Sequence, residues 1–140
     1  MSSGLPFGVG HRVSFSKTVT DEAVRAFAQA SGDDQPLHLD EAFGARTRFG
    51  KRIAHGMLPA GFISAALGTR LAPGRVVIYL GQQLRFRRPV GIGDTITAEL
   101  EVTAIDEEKR IVTLRTDCLN QHGEAVVTGE ATVLIDDLRD

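Results

Sequence analysis

Two short stretches of the chain carry residue types that can do chemistry. In Ser31-Gly32-Asp33-Asp34-Gln35-Pro36-Leu37-His38, a carboxylate, Asp33, is followed five positions later by an imidazole, His38. Pro36 fixes its own φ and pushes Gln35 toward extended backbone, so the segment can hold both side chains toward one point. General acid–base catalysis needs two titratable groups within reach of one water and one carbon. Taken alone, the same residues also fit helix capping and a solvated loop. The second stretch is His55-Gly56-Met57. A glycine opening an apolar helix lets a ligand approach the backbone closely. The free N–H groups of the first turn and the helix dipole then favour an anion, such as a thioester oxygen gaining charge as an enolate. His55 either contacts ligand or satisfies backbone groups near the helix start, and the second is the plainer reading.

Other candidates are weaker. Arg85, Arg87 and Arg88 surround Phe86 and read as a solvated strand face or as a phosphate contact. Ser64 either faces a site or bonds back to the Ala60 carbonyl. His11 and His122 read as loop residues. No CxxC, HExxH or GxGxxG occurs, so neither a metal site nor a dinucleotide site is expected.

The elements that must position these residues follow from periodicity. Residues 13–19 alternate and read as a strand. Thr20 is a good N-cap, with Asp21 and Glu22 in the first turn, and Ala23, Phe27 and Ala30 recur at helical spacing up to Gly32. Asp40 can cap a short helix reaching about Thr47. Residues 57–71 form a helix apolar on nearly every side, which predicts a buried one, ended by Pro73-Gly74. Residues 76–88, 95–106, 110–120 and 124–135 read as four strands. On the last, Ala125, Val127, Ala131, Val133 and Ile135 form the better core face. No helix intervenes between these strands, so the sheet is expected to be antiparallel. The predicted fold is α+β, one buried helix wrapped by an antiparallel sheet in a single domain over residues 1–140.

Composition bounds the function. The 140 residues carry a net charge of −2, which gives no reason to expect nucleic acid or an anionic membrane as partner. Cys118 is the only cysteine, expected inside a strand, so no intrachain disulfide can form. The first residues, MSSGLPFGVG, lack the features of a signal peptide, and no run reaches the ~20 apolar residues that span a bilayer. A cytoplasmic location is expected.

With these residues in view, the sequence resembles a known family. SGDDQPLHLDEAF, then IAHGML, then YLGQQLRFRRPVGIGDTITAELEVT are similar to the MaoC-like (R)-specific enoyl-CoA hydratases of the hot-dog fold, and the likeness runs from about Phe15 to Leu134. The resemblance implies a homodimer joined sheet edge to sheet edge, with active sites at the interface and an acyl-CoA thioester as substrate. Coenzyme A enters as part of that substrate, and no separate cofactor is implied. By position, Asp33 and His38 match the family's water-activating pair, Gly56 its backbone donor to the thioester oxygen, and Ser64 its serine near the acyl pocket. Leu67, three residues beyond Ser64, is expected to line the same pocket. Gln35 departs from the asparagine usual there. It keeps the amide but is one methylene longer, and a misplacement of ~1 Å can cost ~10²-fold in rate.

Three other readings accompany the hydratase. A thioesterase of this fold would place a carboxylate on or beside the central helix, yet residues 57–71 contain no Asp or Glu. A non-catalytic acyl-thioester-binding protein would not need both Asp33 and His38. An acyl carrier protein could replace coenzyme A. Acyl chain length and pathway, whether fatty-acid oxidation, polyester supply or breakdown of a branched acyl group, stay open at this level.

Overall fold

Alternation of apolar residues builds the sheet. In the computed structural model, which describes residues 4–140, five strands are joined in the order β1-β3-β4-β5-β2, each pair antiparallel. They are β1 (Arg12–Thr18), β2 (Val76–Phe86), β3 (Thr95–Asp106), β4 (Ile111–Leu119) and β5 (Ala125–Asp136). Met1, Ser2 and Ser3, the start of the segment in which no signal peptide was expected, lie outside the described residues. Ile96, Ala98, Leu100 and Val102 of β3, Val112, Leu114 and Cys118 of β4, and Ala131, Val133 and Ile135 of β5 are all buried. They share one face of the sheet, as period-two alternation requires. Most of the residues between them are polar. Arg115 bridges Glu101 at 3.2 Å and Asp117 at 3.2 Å on that outer side. Register shifts at Tyr79/Gly81, Val102/Ala104 and Cys118/Leu119 mark bulges, which increase the local twist and let the sheet wrap.

What the sheet wraps is α4 (Met57–Ala66), which packs against β1, β3 and β4 and places Phe62, Ile63 and Ala66 in the core. The helix does not continue as a regular one to residue 71. Leu67–Leu71 is a π-helical turn with both leucines buried at 2 % exposure. The expectation of burial on all sides also needs correction. Met57, Gly61, Ser64 and Gly68 fall on one stripe, and all four are exposed.

Three helices precede α4. α1 (Asp21–Ser31) starts where Thr20 Oγ1 accepts from the Ala23 N–H at 3.0 Å and ends at Gly32, whose φ of 84° suits glycine. α2 (Pro36–Leu39) is a single turn within the stretch read as loop, started by Pro36 at the position where a missing N–H costs nothing. Asp40 Oδ1 accepts from the Phe43 N–H at 3.1 Å and caps α3 (Glu41–Ala45). No helix among the described residues is long and apolar enough to cross a membrane.

Candidate active site

The Gly32 turn releases the chain from α1, and local hydrogen bonds then shape the loop. Ser31 Oγ donates to the Phe27 carbonyl at 2.7 Å and accepts from the Asp33 N–H at 3.1 Å. Asp33 Oδ1 accepts from the Gln35 N–H at 3.4 Å. Asp33 remains exposed. Two turns of sequence later, α2 delivers His38 into the interior, where it is 4 % exposed.

The imidazole partners fix both tautomers. His38 Nδ1 lies 2.7 Å from the Ile53 carbonyl, which can only accept, so Nδ1 carries the proton. With the proton there, Nε2 is left as the acceptor in this tautomer, 3.1 Å from Gln35 Nε2. His55 is buried at 2 % and directs Nε2 at the Asp33 carbonyl, 2.7 Å away, so this ring carries its proton on Nε2. Its Nδ1 is buried and has no hydrogen-bond partner among the described residues. The two rings stack with centroids 3.9 Å apart, and Phe27 packs on the other side of His55 at 4.7 Å. His55 thus satisfies the Asp33 carbonyl and ties the Asp33 loop to the start of α4.

A carboxylate oxygen of Asp33 and one nitrogen from each histidine lie within 4.8 Å of one another. Two acceptors at such a separation can both touch one water at ~2.8 Å, which suits water activation. The same three donors are the one set among the described residues whose spacing could admit a metal ion. Spacing motifs do not show this set, because its members come from two separate stretches. Both His38 nitrogens already have partners, so a cation would have to displace the Gln35 amide.

Behind this loop lies a residue that sequence reasoning missed. Arg52 is 7 % exposed, and its Nε donates to the His38 carbonyl at 2.8 Å. The other guanidinium nitrogens meet Asp21 Oδ1 at 2.6 Å and Glu41 Oε1 at 3.2 Å. One side chain therefore locks α1, α2 and α3 together. Desolvation opposes the charge on Arg52, but the hydrogen bonds it donates to Asp21 and Glu41 hold its pKa above the ordinary value. In return, the Arg52 hydrogen bond, helped by Arg25, holds the Asp21 carboxyl below the usual range. A basic residue flanked by glycine- and arginine-rich loop gave no periodic signal of this role.

Gly56 precedes α4 with helical backbone and no side-chain cap, and among the described residues neither its N–H nor that of Met57 has a backbone partner outside the helix. A Cβ on Gly56 would sit 3.1 Å from the Phe86 ring, so a larger residue would push that ring aside. The exposed α4 stripe and β2 enclose a groove of about 440 Å³, lined by Phe27, Met57, Ala60, Gly61, Ser64 and residues 79–82 and 84. Ser64 lines this groove, whereas Leu67, expected beside it, points into the core between Ile63 and Leu71 on the buried side of the helix and does not line the groove. Tyr79 donates its hydroxyl to Gln82 Oε1, and desolvation pushes that hydroxyl's pKa up to about 12. A second cleft of about 270 Å³ is lined by Gly56, Phe86, Arg87 and Arg88 among others. Cys118 is fully buried, and burial raises its thiol to about 12, so it remains an unreactive thiol.

An antiparallel sheet around a long helix defines a hot-dog protein, with an aspartate and a histidine converging beside that helix's start as a candidate acid–base pair. The model of the MaoC like domain matches residues 7–122. The chain belongs to that family. It is 51% identical to the (R)-specific enoyl-CoA hydratase of Aeromonas caviae over 89% of this chain and 92% of that protein. It is 49% identical to the (R)-specific enoyl-CoA hydratase of Rhodospirillum rubrum over 90% of this chain and 86% of that one. The solved structure of the (R)-hydratase from A. caviae involved in PHA biosynthesis superposes with a TM-score of 0.87 at 50% identity, covering 92% of this chain and 97% of that chain.

Proposed function

We propose that this chain is a hydro-lyase that adds water reversibly to a trans-2-enoyl-CoA and releases the (R)-3-hydroxyacyl-CoA. The observation that carries the reading is the convergence of Asp33 and His38 within 4.8 Å of one another, next to a groove wide enough for an acyl chain. The likeness to hydratases at about half identity supports the same reaction.

The thioester carbonyl accepts hydrogen bonds from the Gly56 end of α4, which draws electron density from Cβ. A water held between the Asp33 carboxylate and His38 Nε2 attacks Cβ. One of the pair takes the water's proton as the C–O bond forms, and a proton is delivered to Cα as the enolate collapses. No external oxidant, reductant or resident cofactor enters the balance. The acyl chain runs along Ser64 and Gly61. His55 keeps the Asp33 loop in place, and Gln35 contacts His38. Arg87 and Arg88 at the cleft beside Gly56 favour the phosphates of coenzyme A.

The protein acts in the cytoplasm as a homodimer. Strand β2 ends the sheet, and its residues Ile78 and Leu80 are 38% and 52% exposed. An open apolar edge of this kind is covered in a stable protein, and a second copy would extend the sheet across it. Hydration of crotonyl-CoA, followed by loss of enoyl-thioester absorbance and chiral analysis of the product, tests the reaction. The (R)-alcohol is expected, whereas an (S)-product or thioester hydrolysis would refute it.

A further inference from the structure

In the ligand-free site the lone pair that His38 needs for catalysis is already occupied. The Ile53 carbonyl fixes the proton on Nδ1, so whatever meets Nε2 must be a donor. That donor is the Gln35 amide, at 3.1 Å. A water placed to react must take this same position on Nε2.

The contact follows from local geometry. Gln35 is the N-cap residue of α2, and His38 is three residues on, one turn further along the same face. An N-cap side chain normally accepts from its own helix's free N–H groups. Gln35 makes no such bond. Its side chain is too long for that turn and reaches past it to the imidazole. Among the described residues, His38 Nε2 is the only hydrogen-bond partner of the Gln35 side chain. Gln35 is exposed, and a side chain of this length gains rotamer freedom on release.

We infer that Gln35 is a positioning residue that covers His38 Nε2 in the resting enzyme and must swing off before water can be activated. This rests on the hydratase reading above. A single neutral hydrogen bond of this kind biases an equilibrium by roughly two- to tenfold. The cover therefore lowers the rate modestly and leaves the machinery intact.

The test uses Gln35→Asn, Gln35→Ala and the full-length wild-type chain. Asparagine keeps the amide but returns it to the start of its own helix, and alanine removes it. Both are expected to raise kcat for crotonyl-CoA roughly two- to tenfold, with a much smaller change in KM. A residue with a merely structural role would not produce a gain. In parallel, the ¹⁵N resonance of His38 Nε2 in the ligand-free protein is expected to shift in both variants and to keep its bare-acceptor character. A fall in kcat in both variants, or an unchanged His38 resonance, would overturn the inference. If neither wild type nor variant hydrates any enoyl thioester, the reaction assignment fails, and the His38 resonance still decides whether the amide covers Nε2.

Discussion

His38 is 4 % exposed, both of its ring nitrogens have hydrogen-bond partners, and its backbone carbonyl is held by a buried arginine. About the groove wall almost the reverse holds. Gly61 and Ser64 are exposed on α4, the Ser64 hydroxyl has no hydrogen-bond partner among the described residues, and the groove has room because both residues are small. The loop arm is defined by what its residues bind, the groove by what its residues leave empty. The first arrangement orients the imidazole through named partners, as proton transfer requires. The second sets a volume, which can change without disturbing the chemistry.

That contrast breaks most sharply at the loop. Asp33→Asn and His38→Gln should each leave a folded protein and lower kcat by ~10²–10⁴-fold. Steady-state hydration of crotonyl-CoA, with circular dichroism to confirm folding, checks this. Arg52→Leu should come next. It removes a charge-assisted hydrogen bond to the His38 carbonyl at a cost of about 1–3 kcal/mol. Little of that comes from the ion pairs, because the Asp21 and Glu41 side chains are 50% and 78% exposed. A lowered Tm together with a fall of about tenfold in kcat is expected, since His38 loses its anchor. Thermal denaturation and kinetics on one preparation separate the two effects.

At the groove, Ser64→Leu should fill space and leave the loop alone. The kcat/KM for an eight-carbon enoyl-CoA should fall about tenfold further than that for crotonyl-CoA, in the range a methylene-sized misfit costs. The smallest effect is on pH. The Asp21 carboxyl is held below its ordinary 3.8, chiefly by Arg52. The stability it contributes is therefore fully present above pH 3.8 and lost as pH falls through the lower folded value. Acid unfolding of an Asp21→Asn variant should accordingly begin less steeply below pH 4 than that of wild type, an order-of-magnitude boundary set by the same linkage.

The same contrast explains what could be read in advance. Thr20 and Gly32 bracket α1, Asp40 caps α3, and the alternation at Ile96, Ala98, Leu100 and Val102 places β3, because each is a local pattern with a local cause. Asp33 and His38 were legible because they sit in one segment with Pro36. The single turn α2 was not, since four residues carry no periodicity. Arg52 was hidden because its partners, at positions 21, 38 and 41, lie far off in sequence and meet only after folding. Leu67 was assigned to the pocket by its spacing from Ser64, but three residues still leave it ~60° round the helix, and that offset puts it on the buried row with Ile63 and Leu71. Small residues on an apolar helix read as packing, and only the position of β2 shows that they line an opening.

The most direct measurement compares four- and eight-carbon enoyl-CoA thioesters with His38→Gln and Ser64→Leu. If the loop does the chemistry and the groove sets the chain length, His38→Gln lowers kcat/KM for both substrates by the same factor, while Ser64→Leu lowers mainly the longer. If Ser64→Leu depresses both equally, or His38→Gln spares one of them, the division of labour between loop and groove is wrong.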